Sequence, residues 1–216
     1  MDLASPLAIV TPTLDAGVLQ VLIGTTQPCT AAEVHRRLGR GSDEGVRKVL
    51  TRLTAQGIVL TASPSRYPVY WLNRDHVGAT HLEGLARARS EVLERIRTAV
   101  DGWSQAPHHV SVFGSFARGD GDLDSDIDLL LVSPATASSG SEDEWADNVA
   151  SLCDAIERWT GNRAQALDID IDTLRSMAAR RDPLIESIRR EGVHVFGARF
   201  GTLLDSSDDA VQQAQL

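Results

Sequence analysis

The chain has 216 residues, 42% of them apolar and 24% charged, with a formal net charge of −9. That length holds one or two domains with buried cores, and the net charge excludes a protein coated in nucleic acid. No run nears the ~18 apolar residues of a membrane span. The apolar start, Met1 to Val10, lacks the basic segment and small-residue cleavage site of a signal peptide.

In chain order, Thr13 to Ile23 carries Leu14, Val18 and Leu22 at helical spacing. Thr30 and Glu33 form a capping box for a second helix, Ala31 to Leu38, with Val34 and Leu38 inward. Ser42 caps a third helix running to about Gln56, with Val46, Val49, Leu50 and Leu53 inward and Gly57 just past its end. Ile58-Val59-Leu60, a turn at Ser63-Pro64-Ser65, and Tyr67 to Leu72 read as a β-hairpin. This order resembles the winged helix-turn-helix of transcription regulators, over about residues 12–74. The resemblance implies double-stranded DNA as a partner. The third helix would enter the major groove with Arg47, Lys48 and Arg52, Arg36, Arg37 and Arg40 would meet phosphates, and Arg66 would lie at the wing tip. Charge agrees with this division. Residues 1–75 hold eight Arg/Lys against six Asp/Glu, and the remainder holds 13 against 24, so a module of +2 precedes one of −11. Winged helices often pair to read two half-sites, so a homodimer is admissible.

From His76 to Val100 runs a helical pattern (Val77, Leu82, Leu85, Val92, Leu93, Ile96), read as a connecting helix within residues 76–104. The next module alternates strand and helix. His109 to Phe113 is a strand, Phe116 to Arg118 a helical turn, and Ile127 to Val132 a second strand. Pro134 to Ser141 is a loop, and Glu142 to Trp159 an amphipathic helix. Ala164 to Ile171 is a third strand, Leu174–Ala179 and Pro183–Arg190 are helices, and Val193 to Phe196 is a last short strand. The module is placed at residues 105–200, and residues 201–216 read as a disordered tail. Cys29 and Cys153 are far apart and in no CxxC pair, so they read as reduced thiols of a cytoplasmic protein. None of the six histidines has metal-ligand spacing, and His108-His109 read as packing residues.

The chemistry gathers in VSVFGSFARGDGDLDSDIDLLLV, residues 110–132. A strand running into Gly114-Ser115 and then a helix N-terminus offers backbone N–H groups, a hydroxyl and a positive dipole end to a phosphate. Asp126 and Asp128 follow at the head of an apolar strand. Period two puts both carboxylates on one face, ~6–7 Å apart along the backbone, with Ile127 turned to the core. Two such carboxylates repel unless a cation sits between them. An all-oxygen pair suits Mg²⁺ (or Mn²⁺), completed by substrate phosphates and water. An EF-hand reading of alternating Asp120 to Asp128 fails, since Ser125 and Leu131 stand where Gly and Glu are required.

Gly114-Ser115 followed by Asp126-Ile127-Asp128 and an apolar run is similar to the Gly-Ser…Asp-x-Asp signature of the DNA polymerase β-like nucleotidyltransferase superfamily. GSFARGD…SDIDLLL resembles its minimal nucleotidyltransferase branch, over about residues 105–197. The resemblance implies an α+β fold in which a winged helix precedes a small mixed sheet with flanking helices. It also implies transfer of an NMP from an NTP to an acceptor hydroxyl on a protein, an RNA or a small molecule. Gly114, Ser115 and Arg118 would bind the nucleotide, although an ion pair of Arg118 with a loop aspartate is the alternative. Asp126 and Asp128 would hold metal, joined by a third carboxylate from the neighbouring strand: Asp168 by preference, Asp170 next, with Asp172 capping the following helix. If neither reaches the pair, the alternative is a transcription regulator that binds a nucleotide without turnover.

Overall fold

The computed structural model describes residues 1–63, 66–134 and 141–205. They divide into two compact units, with the boundary between Arg89 and Ser90.

In the first unit a 3₁₀ turn, Pro6–Ile9, precedes α1 (Leu14–Ile23), β1 (Cys29–Thr30), α2 (Ala31–Leu38) and α3 (Asp43–Ala55). Then come β2 (Val59–Ala62), β3 (Val69–Leu72) and α4 (Ala79–Ala86). The expected capping box closes α2. Thr30 N–H donates to Glu33 Oε2 at 2.7 Å and Glu33 N–H to Thr30 Oγ1 at 3.3 Å. Ser42 Oγ accepts from Gly45 N–H at 3.0 Å and starts α3. Gly57, at φ +78°, supplies the left-handed residue that turns the chain into β2. Of the inward positions predicted from spacing, Val18, Leu22, Val34, Val46, Leu50 and Leu53 form one core with Leu7, Val59 and Leu72, Leu38 and Val49 pack against it partly buried, and Leu14 is half-buried. The hairpin β2–β3 is antiparallel and gains a third strand, since β1 pairs with β3 and the order is β1-β3-β2. Two residues are too few to show period-two alternation, so β1 had no sequence signal. Pro64 and Ser65 of the expected turn lie outside the described residues.

The stretch read as one connecting helix is two: α4, and α5 (Ala88–Asp101). Arg87 N–H bonds the carbonyls of both Glu83 and Gly84, at 3.2 and 3.1 Å, a tightened last turn that ends α4. Ala86-Arg87-Ala88 holds no Gly or Pro, and Gly84, one turn earlier, lies inside the apolar pattern, so the spacing alone did not mark the break.

The second unit holds nearly all of α5 and then β4 (His109–Phe113), α6 (Gly114–Arg118), β5 (Ile127–Ser133), α7 (Ser141–Thr160) and β6 (Ala164–Asp170). α8 (Ile171–Ala179), α9 (Pro183–Glu191), β7 (Val193–Gly197) and α10 (Phe200–Asp205) follow. The four strands make the expected small mixed sheet, order β6-β5-β4-β7, with β5 and β6 parallel and the other pairs antiparallel. One face of β5, through Leu130 and Val132, is covered by Ile171, Leu174, Ile185 and Ile188 from α8 and α9. The expected disordered tail is shortened: residues 200–205 form α10, whose Leu203 and Leu204 pack on that core. Residues 206–216 lie outside the described residues, as does most of the Pro134–Ser141 loop. Among the described residues no helix is long and apolar enough to cross a membrane.

Candidate functional site

β4 and β5 pair antiparallel with Phe113 opposite Asp128, which brings residues fifteen positions apart in the chain to one place. Gly114 takes φ +68° there. A side chain at this position would drive its Cβ into the Asp128 carboxylate, with Asp128 Cγ only 3.3 Å away. Glycine is thus required both for the backbone angle and for the close approach. α6 starts at this turn. Phe113, its N-cap, makes no side-chain cap hydrogen bond. Ser115 sits one residue inside, and its carbonyl accepts from Gly119 and Asp120 N–H at 3.0 and 3.2 Å.

The loop into the carboxylates is pinned by a residue the sequence did not reveal. Asn162 is buried, and its Nδ2 donates to the carbonyls of Asp122, Leu123 and Ser125 at 3.4, 3.4 and 3.0 Å. The Asp122 carboxylate accepts from Ser125 Oγ at 2.8 Å and Asp124 N–H at 3.1 Å, so Asp122 organises the turn. Ile127 N–H then joins the Arg163 carbonyl at 2.8 Å and β5 begins. Ile127 is buried as expected, and Asp126 and Asp128 flank it. Burial pushes the Asp128 carboxyl above the usual carboxylate range, the Asp126 charge adds to the shift, and Arg118 partly offsets it. A divalent cation between the two carboxylates would relieve both penalties.

The expected third carboxylate is not there. In the parallel β5–β6 pair, Asp128 lies opposite Gln165, while Asp168 lies opposite Leu131. Three residues correspond to about 10 Å along a strand, and an odd offset also turns the side chain to the other face. Asp168 therefore sits on the α7 side. It accepts from Trp145 Nε1 at 2.7 Å and lines a cavity of about 460 Å³ with Ser133 and Asp170. Asp170, the second choice, shares that face and caps α8 by accepting from Thr173 N–H at 2.7 Å, the role expected of Asp172. Gln165 occupies the place beside the pair and donates its Nε2 to Asp126 Oδ2. Among the described residues no group of three or more His, Cys, Asp or Glu is placed to hold a metal ion. Asp126 and Asp128 are oxygen donors of the kind that a hard divalent cation takes.

Arg118 is exposed. Its Nε donates to Asp120 at 3.1 Å and its Nη1 lies 3.7 Å from Glu191, so the ion-pair alternative is what the structure shows. In the first unit, Arg47 pairs with Asp43 and Lys48 with Glu44, both at 2.7 Å and both on the exposed face of α3. Arg36, Arg37 and Arg40 are exposed at and beyond the end of α2, and the Arg66 guanidinium lies 5.9 Å from the Tyr67 ring centre. Arg52 departs from the expectation. Five residues past Arg47, about 140° round the helix, it pairs with Asp15 of α1 and lines a largely apolar cavity with Leu82 and His81. Intramolecular pairing, more than a groove-facing position, accounts for Arg52.

Among curated proteins none matches this chain. Two solved structures are similar at low identity. A crystal structure titled as a toxin–antitoxin with AMP-PNP is 17% identical, with a TM-score of 0.35 over 59% of this chain and 87% of that one. A mutant of the toxin–antitoxin MntA-HpeT is 14% identical, again with a TM-score of 0.35, over 59% and 88%. Residues 93–182 match the family model described as the nucleotidyltransferase domain, and that segment carries Gly114, Ser115, Arg118, Asp126, Asp128 and Gln165 together.

Proposed function

We propose that the second unit binds an NTP with Mg²⁺ or Mn²⁺ and moves its NMP to an acceptor hydroxyl. The observation that carries this reading is the contact of the Gly114 turn with Asp128, beside Asp126. Gly114 and Ser115 hold the polyphosphate through backbone N–H groups, the hydroxyl and the start of α6. Asp126 and Asp128 hold the cation, which supplies charge neutralisation at the phosphates. Arg118 leaves Asp120 for a phosphate oxygen when the nucleotide enters. In the transfer, the acceptor oxygen bonds the α-phosphorus, the bond to the β-phosphate oxygen breaks, pyrophosphate leaves, and the acceptor proton passes to solvent. A protein side chain, an RNA 3′ end and a small molecule are all acceptors of the required chemistry.

The first unit acts in this proposal as a winged helix that carries the transferase to double-stranded DNA. Its order of helix, strand, two helices and hairpin supports that role, as do exposed Arg36, Arg37, Arg40, Arg47, Lys48 and Arg66 in a segment of net +2. A second reading, a DNA-bound regulator that binds nucleotide without turnover, is favoured by one observation: Gln165 stands beside the pair where a carboxylate base would act.

Incubation with each labelled NTP and Mg²⁺ separates the two. Transfer of label to any acceptor, lost in Asp126→Asn and Asp128→Asn, supports the enzyme. Saturable nucleotide binding with no transfer supports the regulator. Neither binding nor transfer sinks both.

A further inference from the structure

We infer that this site takes one divalent cation and not two, because the two strand positions that flank Asp128 among the described residues, Gln165 on β6 and Phe113 on β4, supply no further anionic ligand. This inference rests on the proposed metal site and concerns its stoichiometry. β5 carries the pair, and its hydrogen-bonded neighbour on that side is β6. Parallel register sets Gln165 opposite Asp128 on the same face. Its side chain is neutral, and its amide nitrogen donates to Asp126, so it adds no negative charge. The next carboxylates along β6 are unavailable: Asp168 points to the opposite face and is held by Trp145, and Asp170 caps α8. β4, on the other side of β5, presents Phe113 at this level, followed by Gly114 at the start of α6.

Charge decides the count. Two carboxylates balance one divalent ion. A second ion a few ångströms away would meet the full repulsion of the first, and neither flanking strand position adds an anionic oxygen to hold it. Gln165 is therefore a positioning residue: it orients the Asp126 carboxylate by its hydrogen bond and limits the site to the ion that Asp126 and Asp128 share.

The test counts Mn²⁺ bound per full-length chain by electron paramagnetic resonance, with Mn²⁺ alone as the probe and circular dichroism as the fold control. One equivalent is expected for the unaltered chain, none for Asp126→Asn/Asp128→Asn, and two for Gln165→Asp, with Gln165→Glu repeating the test at longer reach. Two equivalents in the unaltered chain, or one in both folded Gln165 variants, overturns the inference and leaves the proposed function standing. Absence of any Mn²⁺ dependent on Asp126 and Asp128 sinks the proposed function and this inference together.

Discussion

Gly114 and Asp128 touch across the β4–β5 pair so closely that no side chain fits between backbone and carboxylate. Gly114→Ala carries two penalties: a left-handed angle costing ~1–2 kcal/mol and displacement of the Asp128 carboxylate. Nucleotide affinity is expected to fall by about tenfold or more, ~1.4 kcal/mol, while the fold survives. Titration calorimetry on the variant checks this, and unchanged affinity would show that the turn does not hold the polyphosphate.

Asp168 makes a contrasting pair with Asp126. Because it faces α7 and accepts from Trp145, Asp168→Asn is expected to leave nucleotidyl transfer within about twofold. Asp126→Asn should cost about 100-fold, ~2.7 kcal/mol of barrier. Single-turnover rates decide between them. An Asp168→Asn defect as large as that of Asp126→Asn would refute the register argument.

Arg47 and Lys48 are paired only to exposed neighbours one helical turn away, contacts worth little in water. Replacing both by Ala should make DNA affinity less salt-dependent, by about two units in the log–log slope. Arg52→Ala should leave the slope alone and lower the melting temperature of the first unit, since Arg52 ties α3 to Asp15 of α1. A slope change from Arg52→Ala, or none from the double variant, would count against this division of roles.

His109 is fully buried, with Nδ1 donating to the Ala198 carbonyl at 2.7 Å. Burial pushes its pKa down, the neighbouring His194 charge adds to that, and the Ala198 bond opposes it. The folded chain keeps the ring neutral to lower pH than the unfolded chain, which takes up a proton near the ordinary value of ~6.5. Stability is therefore full above that pH and falls as pH drops through it, because the unfolded state then binds more protons. His109→Phe should flatten the urea midpoint between about pH 7 and pH 5. Parallel curves for variant and parent would place the titrating group elsewhere.

Local rules were legible where their physics is local. Thr30 and Glu33 three residues apart announced a capping box, and the box is there. Period two announced Ile127 inward between Asp126 and Asp128, and Ile127 is buried. Three features had no such mark. β1 is too short to alternate, the break at Arg87 falls within a continuous apolar pattern, and Asn162 pins the 122–125 loop through carbonyls 37 to 40 residues away. The third carboxylate failed for a related reason. Asp168 and Asp170 share a face, as spacing requires, but spacing within one strand says nothing of which face of the sheet that is.

By itself the amino-acid order determined most of the elements, the inward stripes, the glycine-serine turn and the paired aspartates, since each depends on neighbours within a few positions. Only the tertiary structure decided that Gln165, and not Asp168, meets Asp126, and that Arg52 turns to Asp15. Register between β5 and β6 is set by how whole apolar faces pack, and one residue of offset sends a side chain to the opposite side of the sheet.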